Sequence, residues 1–267
     1  MAAETGALLI HGLGGTEFDL GLLHKVLAAA DIETHGLTLP GHGTQPQDLV
    51  GVRMEDWLEA VALRYRELQP QYQTLHVLGM CMGALLALEL CKTEGHAQGR
   101  LVTLAAPIFL DGWSAPWYRG LRHALYLVPG VAERMRVQEE DPFGIKSDLV
   151  RSIVKAKFAR GDNFHYPWVP LACVRQVDRL RARVMRGLGG ITCPTFIAHA
   201  MEDELTSPKS AHFLAREIPG SQLLLVNNSY HMICVDNDRE QVAAGVLEFF
   251  GKDPALARTR RGSRRAS

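Results

Sequence analysis

An excess of charge of either sign is missing from this chain. Its 267 residues carry 29 Lys and Arg against 29 Asp and Glu, for a formal net charge of zero. That excludes bulk attraction to nucleic acid or to an anionic membrane. Long apolar runs are also missing, and no stretch approaches the roughly 20 residues that span a bilayer. The first apolar run, Ala7 to Ile10, is too short for a secretory signal and leads straight into a glycine turn. Cysteine is scarce. The five residues Cys81, Cys91, Cys173, Cys193 and Cys234 are odd in number and irregularly spaced, with no C-x-x-C pair. This spacing argues against a disulfide framework or a zinc site and for free thiols in a reducing cytoplasm. No internal repeat is present, and no cofactor or metal is implied.

What is present is alternation. Short β-type runs at Ala7–His11, Glu33–Thr38, Thr74–Leu78, Arg100–Ala105, Thr195–Ala200 and Gln222–Asn227 are separated by helical patterns. The helices are expected at Phe18–Ala30, Met54–Leu68, Met82–Lys92, Pro208–Glu217 and Arg239–Phe250. The order predicts an α/β fold, a mostly parallel sheet flanked by helices, built from residues 1–107 and 191–251. Right-handed crossovers place all strand carboxyl ends on one edge, where ligands bind. Residues 108–190 break the alternation and are rich in aromatics, including Trp113, Trp117, Tyr118, Phe164 and Trp168. They read as a helical lid insertion. The prolines of Tyr166–Pro170 are expected to start a helix after a turn. Residues 252–267 read as a disordered basic tail.

The densest motif is Gly79-Met80-Cys81-Met82-Gly83, between an apolar strand and an Ala/Leu-rich helix. A sharp strand-to-helix turn leaves no room for a Cβ two residues either side of a strained central residue. Such an elbow lifts its central side chain to the sheet edge, and here that side chain is a thiol. A nucleophile in this setting is followed along the chain by an acid and then a histidine. Of eleven histidines, His231 alone follows the last strand, in Asn228-Ser229-Tyr230-His231-Met232. The acid belongs after the preceding strand, where Glu202, Asp203 and Glu204 compete. Asp203 is best placed, Glu204 is the runner-up, and Thr206 or Ser207 is available to cap the next helix. Two backbone N–H groups must receive the oxyanion. Met82 supplies one, and Leu13 in His11-Gly12-Leu13-Gly14-Gly15 the other. That glycine loop lacks the G-x-G-x-x-G spacing of a dinucleotide site.

Together with Leu8-Leu9-Ile10 before that loop, Leu39-Pro40-Gly41-His42-Gly43 and Cys193-Pro194-Thr195, these segments resemble the α/β-hydrolase superfamily. Within it they resemble the small-lid carboxylesterase and monoacylglycerol-lipase-like group. The resemblance runs from Ala7 to about Phe250 and implies an esterase-type enzyme with Cys81, Asp203 and His231 as its triad. It also implies that His42, near the site entrance, is structural. The departure is Cys81 in place of serine. Similar cysteine elbows occur in dienelactone hydrolases and polyhydroxyalkanoate synthases, but this chain lacks the bulk of the synthases. A thiolate favours activated acyl donors such as thioesters, lactones and aryl esters, and the acyl-thioester it forms is reactive toward amines and thiols. Hydrolysis is therefore expected first, acyl transfer second, and an inactive binding protein on a hydrolase fold third. Phe109 and Trp168 are expected to wall an apolar acyl pocket, with a small-molecule ester or thioester as partner. The other four cysteines read as core residues.

Overall fold

A computed structural model describes residues 3–258 of the chain. The strands in chain order are β1 (Ala3–Ile10), β2 (Glu33–Gly36), β3 (Tyr72–Met80), β4 (Leu101–Leu104), β5 (Arg136–Gln138), β6 (Trp168–Pro170), β7 (Thr195–Ala200) and β8 (Gln222–Val226). The α-helices are α1 (Leu23–Ala29), α2 (Met54–Leu68), α3 (Met82–Thr93), α4 (Arg122–Leu125), α5 (Val131–Arg134), α6 (Asp148–Arg160), α7 (Leu171–Val184), α8 (Lys209–Glu217) and α9 (Arg239–Phe249). Six strands form one parallel sheet in the order β2-β1-β3-β4-β7-β8. The other two, β5 and β6, pair antiparallel as a separate ribbon.

The carboxyl-terminal halves of the central strands are buried and largely apolar because both sheet faces are covered. Side chains alternate along β1. Leu8 and Ile10 join the cluster under α2, α3 and α7, whereas Ala7 and Leu9 join the opposite cluster under α1 and α9. Helix α3 is buried from Met82 to Cys91, and its one buried charge, Glu89, is met by Lys92 (2.6 Å) and Arg183 (2.7 Å). The elbow at residues 79–83 therefore starts a helix that is buried over most of its length.

Four expectations change. The single helix expected at Phe18–Ala30 is two pieces, a 3-10 turn at Glu17–Leu20 and α1. They break at Gly21, whose φ is 54° and where a Cβ would lie 2.0 Å from the Cys234 carbonyl oxygen. The Tyr166–Pro170 segment does not open a helix directly. Trp168–Pro170 is the extended strand β6, and α7 follows it. The 108–190 insertion divides. Residues of the ribbon and of α6 line the cavity beside Cys81, but α7 buries Cys173, Val177, Leu180 and Val184 in the main core. The first part of the expected tail is structured, since Pro254–Ala257 forms a 3-10 turn and buries Ala257 with the helices around α9. The rest of that basic tail, from residue 259, lies outside the described residues.

Candidate active site

Cys81 sits between β3 and α3 with φ 53° and ψ −121°, a conformation that L-residues rarely hold. Both flanking glycines are required by contact. A Cβ at Gly79 would lie 2.1 Å from the Gly83 carbonyl oxygen, and one at Gly83 would lie 2.1 Å from that of Ile10. The strain is held by the bond from Cys81 N–H to the Leu104 carbonyl (2.9 Å) and by the helix bond from Ala84 N–H to the Cys81 carbonyl (2.9 Å).

His231 and Asp203 arrive from the loops after β8 and β7. Nδ1 of His231 meets Oδ2 of Asp203 at 2.8 Å. The other carboxylate oxygen accepts the N–H groups of Leu205 and Thr206, at 2.9 Å each. Asp203 is thus held by the backbone on one side and by imidazole on the other. Burial opposes its ionisation, but His231 and these amides outweigh that and lower its pKa. Burial likewise opposes charge on His231. The Asp203 carboxylate and the Cys81 sulfur overcome it and raise the imidazole well above its ordinary value. Neither Thr206 nor Ser207 caps α8; the Thr206 hydroxyl bonds Ser210 (2.7 Å), and Ser207 N–H donates to Asp111 (3.0 Å). The competing carboxylates go elsewhere. Glu202 is a surface partner of Lys146 (2.7 Å). Glu204 lines the cavity, where burial raises its pKa to about 7.

Leu13 and Met82 border the same cavity as Cys81 and His231. Met82 is the first residue of α3, so its N–H has no intrahelical acceptor. Two neutral histidines hold the loop that carries Leu13. His11 donates from Nδ1 to the Gly12 carbonyl (2.8 Å) and accepts Leu39 N–H at Nε2 (3.3 Å). His42 donates from Nδ1 to Pro40 (3.1 Å) and accepts Gly14 N–H at Nε2 (3.0 Å), and burial holds its pKa down at about 4. Both rings are connectors between the two glycine loops.

The cavity has a volume of about 470 Å³. Its apolar wall includes Phe18, Val137, Phe143, Phe158, Val169, Val174 and Met232. Neither Phe109 nor Trp168 is part of it. Phe109 packs edge-on against Phe213 at 5.5 Å. Trp168 precedes Val169 on β6, and alternation along a strand turns it to the opposite side, beneath the Arg136 guanidinium at 4.3 Å. Residues of the ribbon and of α6 and α7 take their place.

Sequence reasoning missed a charged link between core and cap. Asp19 accepts Gly12 N–H at Oδ2 (3.1 Å), and its Oδ1 lies 3.5 Å from His165 Nδ1. The other nitrogen of His165 faces Glu139 at 3.7 Å. Gly15 is glycine because a Cβ there would lie 1.8 Å from the Asp19 carboxylate. Burial opposes charge on His165, but the two carboxylates win and raise its pKa to about 10. The only available signal was Asp19 lying seven residues past Gly12; nothing local marks His165 as its partner. Because the folded-state value exceeds that of the unfolded chain, this link stabilises fully below about pH 6.5 and fades as pH rises through about 10. His165→Gln is therefore expected to destabilise the protein at pH 7 and to differ little from the parent at pH 10.5. Urea melts of both proteins at the two pH values measure this, and an equal deficit at both would show that no ionised link exists.

The family model Hydrolase_4, described as serine aminopeptidase, S33, matches residues 4–238. The chain belongs to that family. This α/β-hydrolase is of the monoacylglycerol-lipase and esterase-like type. It is 29% identical over 249 residues to a thermostable monoacylglycerol lipase of Bacillus sp. (strain H-257), covering 92% of this chain and 90% of that one. It is 24% identical to a carboxylesterase of Bacillus subtilis (strain 168), covering 93% of each. A solved structure described under the metagenome-derived lipolytic enzymes LipS and LipT shares its fold with a TM-score of 0.79 at 22% identity, over 94% of this chain and 95% of that one. A soluble variant of monoglyceride lipase from Saccharomyces cerevisiae gives 0.77 at 16% identity, over 93% and 86%. Among the described residues of this hydrolase no helix is long and apolar enough to cross a membrane.

Proposed function

We propose that the protein is a cysteine-dependent hydrolase of uncharged carboxylic esters or thioesters with an apolar acyl group. The observation that carries this reading is the set of three side chains: a thiol on a strained elbow, an imidazole beside it in the same cavity, and a buried carboxylate 2.8 Å behind that imidazole. The Cys81 thiolate attacks the acyl carbon, and the carbonyl electron pair moves onto oxygen, which the N–H groups of Leu13 and Met82 receive. Collapse expels the leaving group, which takes its proton from Nε2 of His231. Water, deprotonated by His231, then attacks the acyl-Cys81 thioester, releases the acid and restores the thiol. Asp203 keeps the Nδ1 proton in place and stabilises the imidazolium.

The cavity favours uncharged substrates. Asp19, Glu139, Glu140, Asp141 and Glu204 border it; among the described residues no Lys or Arg does, and the cationic His165 in its wall is already paired with Asp19 and Glu139. A negatively charged acyl donor would enter against these carboxylates. The relatives' names, a monoacylglycerol lipase and a carboxylesterase, agree with an uncharged ester. Five free thiols suit a reducing, cytoplasmic setting. The sulfur itself favours a second reading, acyl transfer, because a thioester intermediate reacts with amines and thiols as well as with water.

Intact-protein mass measurement during turnover of an aryl ester tests the proposal. The expected result is one transient acyl adduct, mapped to Cys81. Adding amine or thiol acceptors distinguishes transfer from hydrolysis. Absence of both adduct and turnover across a series of activated uncharged esters and thioesters would leave a binding protein on a hydrolase fold.

A further inference from the structure

Away from this cavity, three potential metal-binding side chains converge inside the core. Cys91 lies near the end of α3, His96 in the turn that follows it, and Cys193 just before β7. Their ligand atoms all lie within 4.8 Å of one another, and all three residues are buried. The turn between α3 and β4 folds His96 back, with its N–H on the Cys91 carbonyl (3.0 Å).

His96 is only 1% exposed, and its two nitrogens are unequally served. Nδ1 meets the Tyr65 hydroxyl at 2.8 Å, whereas Nε2 is buried without a hydrogen-bond partner. Either tautomer leaves Nε2 unsatisfied, as an unmet donor or an unmet lone pair.

We propose that Cys91, His96 and Cys193 form a three-donor site for a soft, thiophilic metal ion, with Zn²⁺ the cation whose charge they balance. Nε2 gives its lone pair to the ion, and Nδ1–H donates to Tyr65, the outer partner that metal-bound histidines normally have. The two thiols release their protons to solvent and bind as thiolates. Two thiolates and a neutral imidazole sum to minus two, so a divalent cation leaves the apolar core without net charge. Zn–S bonds of about 2.3 Å and Zn–N bonds of about 2.0 Å place tetrahedral donors roughly 3.5–3.8 Å apart. From separations of at most 4.8 Å, the three side chains need close by no more than about 1.3 Å. The expectation of no zinc site rested on the absence of a C-x-x-C pair. Here the donors come from a helix, a turn and a strand start, and no local spacing connects them.

The test uses the full-length protein, reduced and stripped of metal, titrated with Co²⁺ or Zn²⁺ alone. One equivalent of Co²⁺ is expected to give a thiolate charge-transfer band, and Zn²⁺ is expected to displace it and raise the unfolding temperature. Cys91→Ser and Cys193→Ser should lose the band, and Tyr65→Phe should bind about tenfold more weakly or worse. Cys81→Ser should keep the band at full strength, which separates this site from the active-site thiol. His96→Gln, shown to be folded by circular dichroism, should weaken Co²⁺ binding at least tenfold, and a folded His96→Gln that binds as the parent does would overturn the proposal. Absence of any band while all five thiols titrate as free would overturn the proposal. So would a band that survives in Cys91→Ser, or a Cys91–Cys193 disulfide whose reduced form takes up no ion.

Discussion

Asp203→Asn is expected to lower kcat/KM by about a thousand- to ten-thousandfold while leaving the fold intact. The fold should survive because Asn keeps an oxygen where Asp203 accepts the N–H groups of Leu205 and Thr206. The damage falls on the other side of the group. There an amide NH₂ would face Nδ1 of His231, now 2.8 Å from a carboxylate oxygen. Two donors cannot face each other, so Nδ1 must give up its hydrogen and Nε2 must carry it. In that tautomer Nε2 can no longer take a proton from water or thiol. The charge that raises the imidazole pKa is lost as well. Glu204→Gln is the matched control, since Glu204 lies in the cavity but makes no hydrogen bond to His231. Steady-state kinetics on one aryl ester, with circular dichroism of both variants, measure the difference. A loss below tenfold for Asp203→Asn, or a larger loss for Glu204→Gln, would move the acid to another residue.

Cys81→Ser is expected to divide the substrates. Activity on thioesters should fall by orders of magnitude, whereas aryl esters should retain or gain some. A serine hydroxyl holds its proton at neutral pH, so His231 must remove it during attack, and small errors of alignment cost more than they do for a thiolate. The surroundings otherwise suit an oxygen nucleophile: two glycines at the elbow, an N–H at the start of α3, and the His231–Asp203 pair. An alkoxide is the poorer leaving group, so an intermediate formed by serine on a plain ester collapses forward more readily than one formed by sulfur. Kinetics of both proteins on one matched ester–thioester pair decide the point. Equal losses on both substrates would show that the site has adapted to sulfur and would favour acyl transfer.

The sequence by itself determined the parallel α/β order, the elbow, and the placement of His231 and Asp203 at successive strand ends. These signals are local. A Cβ cannot fit at Gly79 or Gly83, apolar runs mark strands covered on both faces, and one histidine alone follows the last strand. Glu202, Asp203 and Glu204 were harder to separate, because a strand-end loop gives adjacent residues opposite orientations. The tertiary structure sent Glu202 to Lys146, Asp203 to His231 and Glu204 into the cavity. The cap was the least legible part. Trp168 looked like a pocket wall until the pairing of β5 with β6 turned Val169 inward in its place. The Asp19–His165 link and the cluster of Cys91, His96 and Cys193 join residues far apart in the chain. Local pattern reports backbone conformation and which face is apolar. Which distant side chains share a buried space is decided only when the sheet, helices and cap close on one another, because burial and charge pairing are properties of the assembled core.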